Sequence, residues 1–509
     1  MVDKKIIKII RQSNYWKAEG PALMKLCEAP VMGFANIARY NKGLKYSPIF
    51  FFTKKGYGYQ FLDEQDSVNV IAFHINKGEK YIDSRIKLWA DFEKKTFLSA
   101  SIIDKIDLSD LSNKELWNLY DAFHEYLINT WCVAMFLEGN GIYFEKALIP
   151  KICKETGLSE SEAASKAAIL TTPEKQSFSK KEHISLLKIA LEFLKNNVAA
   201  DIFLEDLKNK HAKIYKLLNN HQKSFYWVRN NYKNVTKITE DEFLKEVKNI
   251  SNGKDINAIK SELSRAQDVE KLENKKTEIR KSLKISKELE KEIKIFSVFG
   301  WWHDERKRIN LHSLQYIFIF LDEIAKRMGL TFRQINNITN KEVKDFLISG
   351  NKLDIKEIKE RENMMLYILF DNQKFNVCSG REAEEYFNEI LKSTGSGQKN
   401  EKELKGYVAC SGGKDKVQGK VSLILDVKKE KFEEGTILVT SMTRPEFVPI
   451  MKKAKAVITS EGGITSHAAI VSREFNIPCI IGTKIATTFF KTGDNIEMDL
   501  SKGTIKILK

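Results

Sequence analysis

Apolar and polar positions alternate with different periods in three stretches of the chain. Over residues 1–95 two β-like runs stand out, Ser47–Thr53 and Val68–His74, separated by the turn-rich segment Lys54–Asp66. From 96 to 392 the period is mostly helical. Asp107–Leu127 opens on Asp and Ser capping residues and then spaces its apolar residues as a helix does. After the loop Thr171–Lys175, Ser179 and Glu182 have capping-box spacing ahead of a helix over Lys180–Asn196. Lys260–Phe296 predicts one or two long charged helices, and Asn310–Met328 a core helix.

The texture then changes. Ser393–Leu404 (STGSGQKNEKEL) is rich in Gly, Ser, Lys and Glu and has the composition of a flexible linker. Beyond it, short β-like segments follow one another: Gly406–Ala409, Gly419–Leu425, Gly435–Thr440, Ala456–Thr459, Pro478–Gly482, Asn495–Met498 and Gly503–Leu508. Two helices, Pro445–Ala454 and His467–Phe475, interrupt them. The expected organisation is multidomain and mostly α-helical. It has a mixed, β-containing part over 1–95, a helical domain over 96–392, a linker over 393–404 and a C-terminal α/β domain over 405–509.

Composition narrows the function classes. The longest apolar runs, such as Tyr316–Leu321, fall far short of the roughly 18–20 residues that span a bilayer, and no secretory leader pattern opens the chain. A cytoplasmic protein is expected. Six scattered cysteines without a C-x-x-C pair argue against a zinc site or a disulfide framework. The net charge of +16 raises the question of nucleic acid, but the lysines are interleaved with glutamates, as in Glu270–Lys294, and no recognition motif accompanies them. Nucleic-acid binding is not expected.

Chemistry concentrates in Ala456–Thr483 (AVITSEGGITSHAAIVSREFNIPCIIGT). A buried strand ends in a turn with Gly462 and Gly463, followed by Thr465, Ser466 and then His467 opening a helix. Paired glycines let backbone N–H groups approach an anion closely. Thr465 and Ser466 are N-cap types, and a helix N-terminus offers unpaired N–H groups with partial positive charge. An imidazole placed there is a nitrogen nucleophile beside an anion site, and the same field favours its neutral, attacking form.

This segment resembles the mobile, swivelling domain of the PEP-utilising enzymes, which include phosphoenolpyruvate synthase, pyruvate phosphate dikinase and rifampicin phosphotransferase. Gly406–Gly413 (GYVACSGG) with Gly419, Leu438–Pro445 (LVTSMTRP), and Gly493–Asp494 with Gly503 extend the likeness over the domain. The resemblance implies that His467 carries a phosphoryl group taken from ATP with Mg²⁺ at one site and delivered at another, the linker acting as hinge. Gly462, Gly463, Thr465, Ser466 and Arg444 match positions near the phosphate. Capping suits the two hydroxyls equally well, and a solvated charge the arginine. The helical body is similar, more distantly, to the segment preceding the swivel domain in such enzymes. The likeness runs through His303–Arg308 (HDERKR), Leu353–Arg361 and His221–Tyr232 (HQKSFYWVRNNY). By that likeness Trp227, Trp301, Trp302, His303, Glu305, Arg306, Arg308 and Arg361 are candidates for an acceptor pocket, with core and surface roles the alternative.

Nothing in the chain resembles an ATP-grasp domain, a Walker-type loop or a C-terminal PEP/pyruvate barrel. The expectation is therefore a phosphotransferase component. A separate ATP-grasp protein would load it, as in phenylphosphate synthase, and a small molecule would be its acceptor. A non-catalytic regulatory module that keeps the fold, and a self-sufficient enzyme with an unrecognised nucleotide site, are the alternatives.

Overall fold

The computed structural model describes residues 3–44, 46–267, 269–370, 375–393, 403–427, 429–443, 445–463 and 466–508. The described residues are mostly helical and form two sheets. The first sheet contains β1 (Tyr15–Pro21), β2 (Ile49–Lys54), β3 (Tyr57–Asp63), β4 (Met364–Leu369) and β5 (Phe375–Ser379), in the order β1-β3-β2-β4-β5 and antiparallel throughout. Residues 15–63 therefore share a sheet with residues 364–379, which the sequence pattern had grouped with the helical segment. Strand periodicity sorts the two faces of β2. Phe50 and Phe52 pack with Phe61, Leu366, Tyr386 and Phe387 in one cluster, whereas Ile49 and Phe51 face the main helical core.

Val68–His74, expected as a strand, lies instead inside the helix Glu64–Lys77. Asp63 caps that helix by accepting from the Asp66 N–H, and Gly78 ends it at φ +77°. Ser67, Val70, Ile71 and His74 are its buried positions, a helical spacing that the apolar run around them obscures. The helix expected to start at Lys180 begins at Phe178. Ser177, not Ser179, is its N-cap and accepts from the Lys180 N–H.

Lys260–Phe296 and Asn310–Met328 resolve into the helices Ile256–Gln267 and Val269–Ser282 and one 42-residue helix, Lys287–Met328. Ser286 caps the long helix and Gly329 closes it in the left-handed conformation. Its length, about 63 Å at 1.5 Å per residue, lets it pack against Asn113–Ala134 and Glu79–Ile103 through much of the body. Gly300 lies within it where Pro173 crosses; a methyl group at Gly300 would stand 3.3 Å from the proline ring.

The second sheet is built from β6 (Glu403–Lys405), β7 (Tyr407–Cys410), β8 (Lys416–Leu423), β9 (Ile437–Thr440), β10 (Ala456–Thr459), β11 (Cys479–Ile481), β12 (Asn495–Asp499) and β13 (Thr504–Ile507). Its order is β6-β13-β12-β8-β9-β10-β11-β7. Strands β8, β9, β10 and β11 run parallel, and the flanking strands are antiparallel. The C-terminal strands expected from the sequence all form, within a few residues of their expected ends. Of the expected linker Ser393–Leu404, residues 394–402 lie outside the described residues. No helix among the described residues is long and apolar enough to cross a membrane.

Candidate functional site

Three parallel strands, β9, β10 and β11, end side by side, the place where open α/β sheets present their loops to ligands. The turn after β10 is pinned to both neighbours. Ser460 N–H donates to Thr440 O at 3.0 Å and Glu461 N–H to Ser441 O at 2.8 Å, while Lys484 N–H reaches Ser460 O at 2.7 Å. The glycines then do different jobs. Gly462 holds φ +101°, and a Cβ there would sit 2.9 Å from Ser466 Oγ, so both conformation and space demand glycine. At Gly463 the constraint is close approach, because a Cβ would lie 3.4 Å from Gly141 Cα of the helical body.

Ser466 is the N-cap of the helix His467–Glu474. Its N–H donates to Gly463 O at 2.8 Å, and its hydroxyl accepts from the Ala469 N–H at 3.4 Å. The Ser466–Gly463 bond ties the cap to the turn at the N-terminus of this helix, the end whose first N–H groups lack intrahelical partners. The imidazole is half-buried. Its Nδ1 lies 2.8 Å from Thr443 Oγ1, and Thr443 is a buried residue of the loop after β9. A hydroxyl engaged at Nδ1 fixes the ring's rotation. Thr443 was passed over in the sequence, where it stands beside the more conspicuous Arg444. Arg444 and Thr465 themselves lie outside the described residues.

The body side of the site is the segment from Met135 to Leu148. The short helix Asn140–Tyr143 brings Gly141 to the glycine turn, and Glu145 follows in a widened turn, Phe144–Leu148. One helical turn before Gly141, Glu138 pairs with the fully buried guanidinium of Arg306 and lies 3.8 Å from His303 Nε2. Arg306 also donates to Ala134 O at 2.9 Å and stacks over Trp131 at 4.2 Å. The adjacent guanidinium and ring hold the Glu138 carboxyl well below the usual range despite burial, while burial pushes His303 down to about 4.

The remaining pocket candidates divide. Glu305 accepts from Arg308 at 2.7 Å, and Arg308 also pairs with Glu93, so their charges are spent on one another. Trp302 is fully buried against Trp89 and Phe136, and the ring of Trp301 is covered by Lys175 at 4.1 Å. Trp227 belongs to a separate core with Phe178 and Phe243, and Arg361 is engaged by Glu342 and Glu357. The structure thus gathers His303 and Arg306 with Glu138 near the turn that carries His467. It places Trp227 and Arg361 elsewhere, in packing and ion-pair roles. Among the described residues no group of three or more His, Cys, Asp or Glu could hold a metal ion.

Residues 432–503 match the family model described as "PEP-utilising enzyme, mobile domain". A probable phosphoenolpyruvate synthase of Pyrococcus horikoshii is 53% identical over 88 residues, covering 17% of this chain and 11% of that protein. The probable synthase of Archaeoglobus fulgidus is 50% identical over 103 residues, 20% of this chain and 13% of its own length. That of Aquifex aeolicus is 45% identical over 107 residues, 20% and 12%. The chain thus spans little more than a tenth of the length of the curated relatives it matches. Among solved structures, aconitase X (holo-form) of Thermococcus kodakaraensis aligns with 21% of this chain and 98% of its own. The identity there is 21% and the TM-score 0.18, and nothing is assigned from it.

Proposed function

Given a PEP-utilising-enzyme mobile domain over residues 432–503, we propose that His467 is a transient phosphoryl carrier, loaded from ATP by a separate ATP-grasp protein and discharged onto a small-molecule acceptor. The observation that carries this reading is the 2.8 Å contact between Thr443 Oγ1 and Nδ1 of a half-exposed His467 at a glycine-flanked helix N-terminus. With Nδ1 engaged, the Nε2 lone pair attacks phosphorus. An N–P bond forms, and the P–O bond to the nucleotide breaks with its electron pair leaving on oxygen. The helix N–H groups and the turn after β10 balance the charge on the bound phosphoryl. In the second step an acceptor oxygen attacks, the N–P bond returns its pair to the ring, and the acceptor's proton is released.

ATP and Mg²⁺ enter through the family, and the described residues offer no group of ligands for the ion. Of the acceptor-pocket candidates, His303 is the one that is partly exposed beside Glu138, three residues before the Gly141 that meets the glycine turn, and it is the residue taken to face the acceptor. The test is to incubate the purified chain with β- or γ-labelled ATP and Mg²⁺, alone and with ATP-grasp proteins. Label that appears only with a partner and is lost in His467→Asn supports the reading. Label absent with every partner overturns it.

A further inference from the structure

The carrier sits on the body through a seam of bare backbone with one carboxyl group inside it. Gly141 of the body meets Gly463. A Cβ built on Gly463 would lie 3.8 Å from Glu145 Oε1, and one built on Gly482 would lie 3.6 Å from the same oxygen. Glu145 therefore faces two glycines of the carrier, with the Tyr407 ring 3.5 Å from the Gly482 position beside it. Around it stand Lys484 and Tyr407 of the carrier, Glu160 from the helix Glu160–Leu170, Glu64 from the helix Glu64–Lys77, and its own neighbour Lys146. Lys146 is partly committed to Glu64 at 3.5 Å. Apolar contact completes the seam, since Ala409, Ala468, Ala469 and Val471 of the carrier join the main core of the body.

Seating the carrier removes water from this carboxyl and offers Lys484 in return; lifting it restores water and withdraws the lysine. The two changes act oppositely on the charged form, and desolvation is the larger. Together they push Glu145 up to about 7 in the seated arrangement.

We propose that Glu145 is a proton-operated latch: the carrier seats on the body with a proton taken up by this carboxyl, and departs as the proton is lost. The inference rests on the carrier reading only in taking the domain as mobile; it needs neither ATP nor an acceptor. The sign follows from linkage. A group that binds its proton more tightly in the seated state favours seating at low pH. The seating constant falls by up to about tenfold per pH unit between the ordinary carboxyl range and about 7, and is level above that. Loss of the carrier at neutral pH thus frees the glycine turn, and with it His467, to visit a donor.

The test is single-molecule FRET on the full chain, with dyes at Phe203→Cys on the body and Lys502→Cys on the carrier, both exposed positions. The partly exposed Cys153, Cys378 and Cys410 are replaced by serine. Measurements run from pH 5 to 8.5 in this chain and in a Gly141→Leu background, whose side chain must wedge against Gly463 and raise the unseated population. The unseated fraction is expected to climb with pH and level off near 7. In Glu145→Gln the dependence disappears and the carrier stays seated. In Lys484→Met the break moves to higher pH, because the charge favouring ionisation is gone. A pH profile unchanged by Glu145→Gln, or no pH dependence in either background, overturns the latch. Failure of His467 labelling would leave these outcomes untouched, which separates the two readings.

Discussion

Thr443 Oγ1 and His467 Nδ1 lie 2.8 Å apart, although 24 residues and the strand β10 separate them in the chain. The contact exists because β9 and β10 are parallel and in register, with Thr440 opposite Thr459, so their C-terminal loops emerge side by side. Thr443→Val keeps the shape and removes the hydroxyl. A single buried hydrogen bond of this kind is worth about 0.5–1.5 kcal/mol. The initial rate of label incorporation at His467 should accordingly fall roughly 2- to 12-fold, and Thr443→Ser should restore it.

Gly462 and Gly413 both hold positive φ, at 101° and 72°, but only Gly462 is crowded. Alanine at Gly413 meets nothing within 4 Å and carries backbone strain alone, about 1–2 kcal/mol. Alanine at Gly462 adds a collision with Ser466 at 2.9 Å and so displaces the cap of the His467 helix. Chemical denaturation should find both variants destabilised and Gly462→Ala the more so. Labelling should be lost only in Gly462→Ala.

The Arg306–Glu138 pair is almost wholly removed from water on the arginine side. Arg306→Met leaves the partly exposed Glu138 carboxylate without its counter-charge, a change that costs up to about 3–5 kcal/mol. The double replacement Arg306→Met with Glu138→Leu should recover much of that loss, as urea unfolding of the three chains would show. The pair's pH dependence has a definite sign. Glu138 is held below its ordinary value, so its contribution is full above the usual carboxyl range and fades as pH falls through the depressed value.

Buried histidines act in a higher window. His74 stacks on Phe136 at 3.6 Å, with its Nδ1–H donating to Val70 O at 2.8 Å, and burial lowers it to about 4; His124 is lowered to about 3. Unfolding lets each bind a proton at its ordinary value of 6.5. Stability is therefore intact above that pH and falls as pH drops toward 4, by up to about 1.4 kcal/mol per unit for each ring. Unfolding free energies measured between pH 7 and 4.5 should show this slope, and His74→Gln should flatten it by about one histidine's share.

The site was legible in the sequence to the extent that it is local. Gly462, Gly463, Ser466 and His467 occupy one turn, and the residue types specify its backbone. The alternating strands around it were equally plain, because each buries one short apolar run between glycines. What depends on distant partners was hidden. Val68–His74 could alternate as a strand or wind as a helix, and Asp63 with Gly78 decides the matter from outside the run. Strand β4 (MMLYIL) is apolar at every position, since both its faces are covered, and it shows no period. Thr443 and Glu145 gain their places from strand register and from docking, neither of which is written in nearby residues. Trp227 and Arg361 show the converse. Residue type suggested a shared pocket, and packing sent them to different parts of the body.

The position of the phosphoryl group on the imidazole tests the central claim most directly. The chain, loaded by ATP with its partner and kept at alkaline pH, would be read by ³¹P NMR and by fragmentation mass spectrometry. The account predicts one phosphoryl group on His467, bonded to Nε2, with Nδ1 still held by Thr443. A phosphoryl group on Nδ1, or on any other residue while His467 stays unmodified, would contradict it.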